Sequence, residues 1–173
     1  PFVRQVSHDI LKIILESNNA DPAKELAKSR ARELLGGLVP MDQLILSQKL
    51  ADSYKNSNLA HVRVRDKIQE RDPGSEPQSG DRVRYVLVKP DKKTTTQADR
   101  AEDPEWAVRN GLELDYQYYF TNKFMKPICD LLDPIIGDGR MEIFSEFWPS
   151  PPVPQVSIVF SSVLTLLAFS LST

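Results

Sequence analysis

Between His61 and Lys89 the hydrophobic pattern changes period, and Asp72-Pro73-Gly74 marks the change. Upstream, Leu59, Val62 and Ile68 can share one helical face, which predicts a helix from about Ala60 to Arg71. Proline lacks the N–H that a further turn needs, and glycine favours turn geometry, so the helix stops there. After a loop through Pro77 to Gly80-Asp81 the residues alternate. Val83, Tyr85 and Leu87 fall on one face of a strand, and Arg82, Arg84, Val86 and Val88 on the other. A chain carrying both periods is α+β, and the longer helical runs elsewhere make it mainly α-helical with a small antiparallel β element. The same stretch concentrates positive charge at Arg63, Arg65, Lys67, Arg71, Arg82, Arg84 and Lys89. Such a surface suits a regular array of negative charge, and nucleic acid is the obvious partner class.

That excess is local. The 173 residues carry a formal net charge of −2, so no global field draws the chain to DNA or anionic lipid. Residues 1–60 hold 8 Lys/Arg against 7 Asp/Glu, residues 61–93 hold 9 against 6, and residues 94–173 hold 5 against 11. Any attraction must come from the middle segment. The length allows one domain with a tail. Cys129 is the only cysteine, which excludes an internal disulfide or a cysteine-rich metal cluster within this sequence and fits a reducing compartment. No Lys/Arg-led signal peptide opens the chain. The start at Pro1-Phe2-Val3, without Met and inside an amphipathic pattern, leads to the expectation of a fragment.

Val3, Val6, Ile10, Ile13 and Ile14 predict a first helix over 3–17, with His8 off its stripe. Asp21 at the N-cap and Pro22 at the first position predict a second, with Ala27, Ala31, Leu34, Leu35 and Leu38 buried and Gly36-Gly37 ending it. Lys24, Lys28 and Arg32 share an exposed edge, either a solvated face or one that tracks phosphates. Asp42–Ser47 reads as a short strand. A short helix starts at an Asp103-Pro104 cap, with Trp106 and Val108 as docking residues. A third long helix, capped by Asp115, buries Phe120, Phe124, Ile128, Leu131, Leu132 and Ile135, carries Tyr116, Tyr119, Lys123, Lys126 and Asp130 on its other face, and kinks at Pro127; Tyr118, Tyr119, Phe120 and Phe124 read as packing rather than base-stacking residues. Beyond Arg140 the character changes. Pro149–Pro154 is proline-rich, and Val156–Thr173 is uncharged and long enough for a membrane span, yet diluted by Ser and Thr and without basic flanks. A membrane location is not expected.

No Asp-x-Asp pair, Gly-rich phosphate loop or Ser/His/Asp set is present, so these residues are not expected to perform chemistry alone.

An ordered set of short motifs points further. Asp42-Gln43-Leu44 with Lys49-Leu50, Ala60-His61-Val62, Arg71-Asp72-Pro73-Gly74-Ser75 and Gly80-Asp81-Arg82-Val83-x-Tyr85-Val86 come first. Glu102-Asp103-Pro104, Leu114-Asp115-x-x-Tyr118-Tyr119, Lys126-Pro127 and Pro134-Ile135-Ile136-Gly137 follow. Together they resemble the thumb region of B-family replicative DNA polymerases, closest to the delta catalytic subunit, over roughly residues 1–140. The resemblance implies thumb-like helices with a small sheet in 1–140, and leaves 141–173 as a linker and apolar tail. It implies a DNA-directed DNA polymerase, a nucleotidyltransferase of DNA replication that uses two Mg ions on palm carboxylates. Those carboxylates lie upstream of these residues, so no metal ligand, catalytic residue or cofactor is expected here, and the iron–sulfur or zinc module that follows the thumb in delta-type subunits has no counterpart. The implied partners are primer–template duplex DNA, the palm, fingers and exonuclease domains of the parent enzyme, accessory polymerase subunits and a sliding clamp. The implied location is the nucleus or a viral replication site. The implied phosphate contacts are His61, Arg63, Lys67, Arg71, Arg82 and Arg84, with Lys123 and Lys126 beside Tyr119 behind them. Position 84 holds Arg where the relatives in question carry another residue. A rival expectation is a non-enzymatic helical docking module whose basic stretch meets an acidic partner.

Overall fold

The computed structural model describes residues 1–55, 58–91 and 96–147. Helices α1 (Phe2–Ser17) and α2 (Asp21–Leu35) pack together across a turn in which Asn18 takes the left-handed conformation. Phe2, Val6 and Ile10 meet Ala23, Ala27, Ala31 and Leu34, and the small alanine side chains let α2 approach closely. Two details differ from expectation. The N-cap is Ala20, which offers no side-chain oxygen, and Asn19 Oδ1 accepts the Asp21 N–H at 2.9 Å. Leu38 is 75% exposed, because Gly36-Gly37 has already turned the chain, and Val39 is buried instead.

The strand expected over 42–47 is displaced. Pro40 has the extended geometry of an N-cap, so a single helical turn α3 (Met41–Leu44) forms first, and β1 runs Leu46–Lys49. Helix α4 (Ala60–Arg71) and strand β2 (Arg82–Leu87) lie where the period change puts them. Strand β2 is central. It pairs antiparallel with β1 (Leu46 opposite Tyr85, Ser47 opposite Arg84, Gln48 opposite Val83, Lys49 opposite Arg82) and with β3 (Ala101–Glu102). Val83, Tyr85 and Leu87 are buried as their alternation predicts. Val86 is buried too, since α4 and α5 (Pro104–Arg109) both pack on β2. The Asp103 carboxylate caps α5, accepting the Trp106 N–H at 2.8 Å. Ala107 faces the core, and Val108 is 66% exposed rather than docked.

Asp115 caps α6 (Tyr116–Tyr119) by accepting the Tyr118 N–H at 2.9 Å. That helix runs directly into a π turn at Phe120–Met125 and then α7 (Lys126–Ile136). The disturbance expected at Pro127 is this widened turn, lying just upstream of it. Proline returns no N–H and crowds the carbonyl four residues back, which a wider turn relieves. Phe120, Phe124, Ile128 and Leu132 are fully buried, while Ile135 is 51% exposed. Tyr119 packs in the interior, with β2 against it: its hydroxyl accepts the Leu87 N–H at 3.0 Å.

Asp138 caps α8 (Gly139–Phe144), which returns Ile143 and Phe144 to the same core. The rings of Phe2, Phe120, Phe124, Phe144 and Phe147 cluster, with centroids 5.6–6.3 Å apart along the chain of contacts. Lys24 and Arg32 reach Glu142 at 3.0 Å and Glu146 at 2.7 Å, and Lys28 pairs with Glu25. Two of the three cations on this edge of α2 thus join it to α8 and the turn that follows. The proline-rich stretch and the apolar run 156–173 lie outside the described residues, among which no helix is long and apolar enough to cross a membrane.

Candidate nucleic-acid interface

Strand alternation and the β1–β2 register together build one basic face. Arg82 and Arg84 project from the same side of β2, and the residues opposite them are Lys49 and Ser47. Directly opposed residues of an antiparallel pair share a face. All four are exposed. The Arg82 guanidinium lies along β1, with Nε donating to Ser47 Oγ at 3.0 Å and Nη2 to the Ser47 carbonyl at 3.2 Å. None of Lys49, Arg82 and Arg84 is ion-paired among the described residues. Lys49 sits across from Arg82, a like-charge juxtaposition that costs roughly 0.2–1 kcal/mol when no anion relieves it. Lys49 was not among the expected contacts, since the expected strand ended at Ser47. Its signal was the alternation of Ser47 and Lys49 continuing past that point.

The other expected residues are placed differently. Lys67 points inward: Nζ donates to the carbonyls of Asp99 and Ala101 at 2.8 and 2.7 Å and lies 3.3 Å from Glu102. Arg71 clasps the Glu102 carboxylate with two bonds of 2.8 and 2.9 Å and stacks on the Trp106 ring at 3.9 Å. Trp106 is thereby half-covered and is not a free anchor. Arg63 is half-exposed and pairs with Asp99 at 3.3 Å. The Asp99 carboxyl is held below its ordinary range, first by the Thr96 hydroxyl and further by Arg63. Lys123 is half-buried on the π turn and Lys126 exposed at the start of α7, so both belong to the helical layer. The middle segment is basic in sequence, but among the described residues much of its charge is paired with carboxylates or carbonyls, and Arg82 and Arg84 on the strand face are not ion-paired.

His61 is only 1% exposed. Its Nε2 lies 2.9 Å from the Tyr54 hydroxyl, which also accepts the Ala51 N–H at 2.7 Å. Burial, and secondarily the Arg65 charge, push the imidazole below its ordinary value, so it sits neutral near pH 7. It braces the loop after β1 rather than presenting a charge. Gly80, at φ 94, allows the turn that brings its N–H to the Leu50 carbonyl and carries the chain into β2 beside β1.

Two guanidiniums, one ammonium and a hydroxyl on one face have the chemistry to meet phosphate oxygens, which carry no base code. No group of three or more His, Cys, Asp or Glu among the described residues could hold a metal ion.

The architecture has a known counterpart. The fold matches part of the family B DNA polymerase of the hyperthermophilic archaeon Pyrobaculum calidifontis, with a TM-score of 0.63 over 79% of this chain and 18% of that one, at 20% identity. The chain thus has the fold of a segment of a DNA polymerase. The family model for DNA polymerase family B matches residues 1–135, and the chain belongs to that family. Among relatives, the DNA polymerase of Pyramimonas orientalis virus is 38% identical over 134 residues, covering 76% of this chain and 11% of that protein. The DNA polymerase delta catalytic subunit of Caenorhabditis elegans is 34% identical over 149 residues, covering 84% of this chain and 14% of that protein. The chain therefore spans a small fraction of the length of the curated relatives it matches.

Proposed function

We propose that residues 1–140 are the thumb of a replicative family B DNA polymerase and that the β1–β2 face grips primer–template duplex through its phosphates, whatever the sequence. The observation that carries this is the convergence of Lys49, Arg82 and Arg84 on one exposed strand face without a carboxylate partner among the described residues, while Lys67 and Arg71 are neutralised inside. Arg63, Lys123 and Lys126 flank the grip. His61, Lys67 and Arg71 support it from within. A polymerase must hold every sequence equally, and phosphate contacts position a duplex without carrying a base code. The nucleotidyl transfer itself, with its two Mg ions, belongs to the palm of the parent enzyme, which works in DNA replication with its fingers and exonuclease domains, accessory subunits and a sliding clamp, in the nucleus or at a viral replication site.

Fluorescence anisotropy of labelled primer–template duplex, titrated with the 173-residue chain across a salt series, tests the grip. Each phosphate neutralised contributes a slope of about −0.9 in log K against log salt. The K49A/R82A/R84A variant is expected to flatten the slope by about 2–3. Unchanged affinity and slope in that variant would reject this face. One further feature suits a docking role: a cleft of about 380 Å³ between α3 and α5, floored by Met41, Ile45, Pro104 and exposed Val108. Salt-insensitive DNA binding would shift the reading towards a protein partner there.

A further inference from the structure

Ser47 stands where the three cations of the strand face converge. Its hydroxyl already accepts from Arg82 Nε at 3.0 Å, and Arg82 Nη2 reaches the Ser47 carbonyl at 3.2 Å. Arg84 is directly opposite it across the ladder, and Lys49 follows two residues on along the same face. Opposed residues bring their Cβ atoms to about 4.5–5.5 Å, and residues two apart on a strand lie about 7 Å apart. β1 is also an edge strand: the sheet order is β1-β2-β3, so its outer side has no strand partner among the described residues, and Ser47 is exposed.

We propose that Ser47 is a phosphorylation site whose phosphoryl group is held by Arg82, Arg84 and Lys49 and displaces DNA from the same face. The reagent class is ATP with a protein kinase. The Ser47 Oγ–P bond forms, the bond from the γ-phosphorus to the β–γ bridging oxygen breaks, ADP leaves with that electron pair, and the hydroxyl proton passes to the base of the kinase. The product carries about −1.5 to −2 charges and three strong acceptor oxygens near pH 7. Arg82, now donating to a neutral hydroxyl, becomes half of a fork onto a phosphate oxygen pair, and charge-assisted bonds of this kind are roughly twice as strong as neutral ones. The group that DNA would offer from outside is then supplied by the chain itself. The competition with duplex rests on the phosphate-grip reading above. The intramolecular cradle does not.

The experiment uses the 173-residue chain carrying phosphoserine placed site-specifically at position 47, and a control chain with phosphoserine at 17, an exposed position near the end of α1. Two measurements separate the claims. Phosphorus NMR titration reads the second ionisation of the phosphoserine. At 47 it is expected below that at 17, and the R82A/R84A variant should return it to the value at 17. Equal values at both positions would overturn the cradle, whatever DNA does. Anisotropy with primer–template duplex should show the salt slope of phosphoserine-47 chain flattened by about 2, while the phosphoserine-17 chain keeps the wild-type slope. A wild-type slope with phosphoserine at 47 would overturn the competition. If K49A/R82A/R84A also kept the wild-type slope, the grip reading would have failed and not the cradle.

Discussion

Replacing Glu102 by Gln removes one negative charge and almost no volume from a site that is 5% exposed. Two donors converge on each carboxylate oxygen: Arg71 Nη1 at 2.8 Å and the Asp103 N–H at 2.9 Å on Oε1, and Arg71 Nη2 at 2.9 Å and Lys67 Nζ at 3.3 Å on Oε2. A glutamine amide has one acceptor. Whichever way it turns, its NH₂ faces two donors, and the two cations lose their counter-charge. Breaking a buried ion pair from one side costs about 3–5 kcal/mol. Arg71 and Lys67 keep 28% and 20% side-chain exposure, so water recovers part of that loss. The expected destabilisation is about 2–3 kcal/mol, or about 5–10 °C in Tm for a chain of this size. Urea unfolding followed by far-UV circular dichroism and by tryptophan fluorescence measures it, since Trp106 lies under Arg71. The variant should also flatten the acid limb. Burial alone would raise the Glu102 pKa, but the Arg71 bonds, the Asp103 N–H and the two cations outweigh it and hold the carboxyl below its ordinary 4.5. The unfolded chain then binds more protons in that window, so the pair's contribution is full above pH 4.5 and fades as pH falls through the folded value. A Glu102→Gln stability within 0.5 kcal/mol of wild type, or strict additivity with Arg71→Met, would refute the reasoning, because coupled partners must lose less together than the sum.

Three further outcomes follow from single contacts. Tyr119→Phe leaves the buried Leu87 N–H without the 3.0 Å hydroxyl acceptor and should cost about 1–3 kcal/mol in a thermal melt, where a loss under 0.5 kcal/mol would show the bond to be dispensable. Gly37→Ala puts a Cβ 3.2 Å from the Tyr116 ring at φ 69 and should destabilise by about 1–2 kcal/mol, whereas Gly74→Ala, with nothing within 4 Å of its Cβ, carries the backbone penalty alone and should lose less. The lowered His61 pKa means that the unfolded chain binds more protons below the ordinary value of 6.5, so stability should fall as pH drops below it. In His61→Leu that component is absent, and the stability gap between wild type and variant should narrow from pH 7 towards pH 5 if denaturation midpoints are compared at each pH.

The residues also show which features are written locally. Helix α4, strand β2 and the caps at Asp103 and Asp115 depend on neighbours within a few positions, so their pattern survives in the linear sequence. The strand expected over 42–47 was misplaced because a single turn after Pro40 and a short strand are both compatible with one apolar run, and only pairing with β2 decides between them. Helical spacing placed Tyr119 opposite the Phe120–Phe124 stripe, but what it packs against depends on β2 arriving against it.

The charge of the middle segment is the sharper case. Composition and alternation determined that this segment is basic and that Arg82 and Arg84 point the same way. They could not assign Lys67 and Arg71, whose carboxylate lies more than thirty positions along the chain at Glu102, nor add Lys49, whose neighbour Arg82 is reached only across the ladder. Secondary structure follows from short-range sterics and hydrogen bonding, which repeat with fixed period. Whether a cation is free to meet a phosphate depends on which carboxylates the fold carries to it, and that was decided by tertiary packing alone.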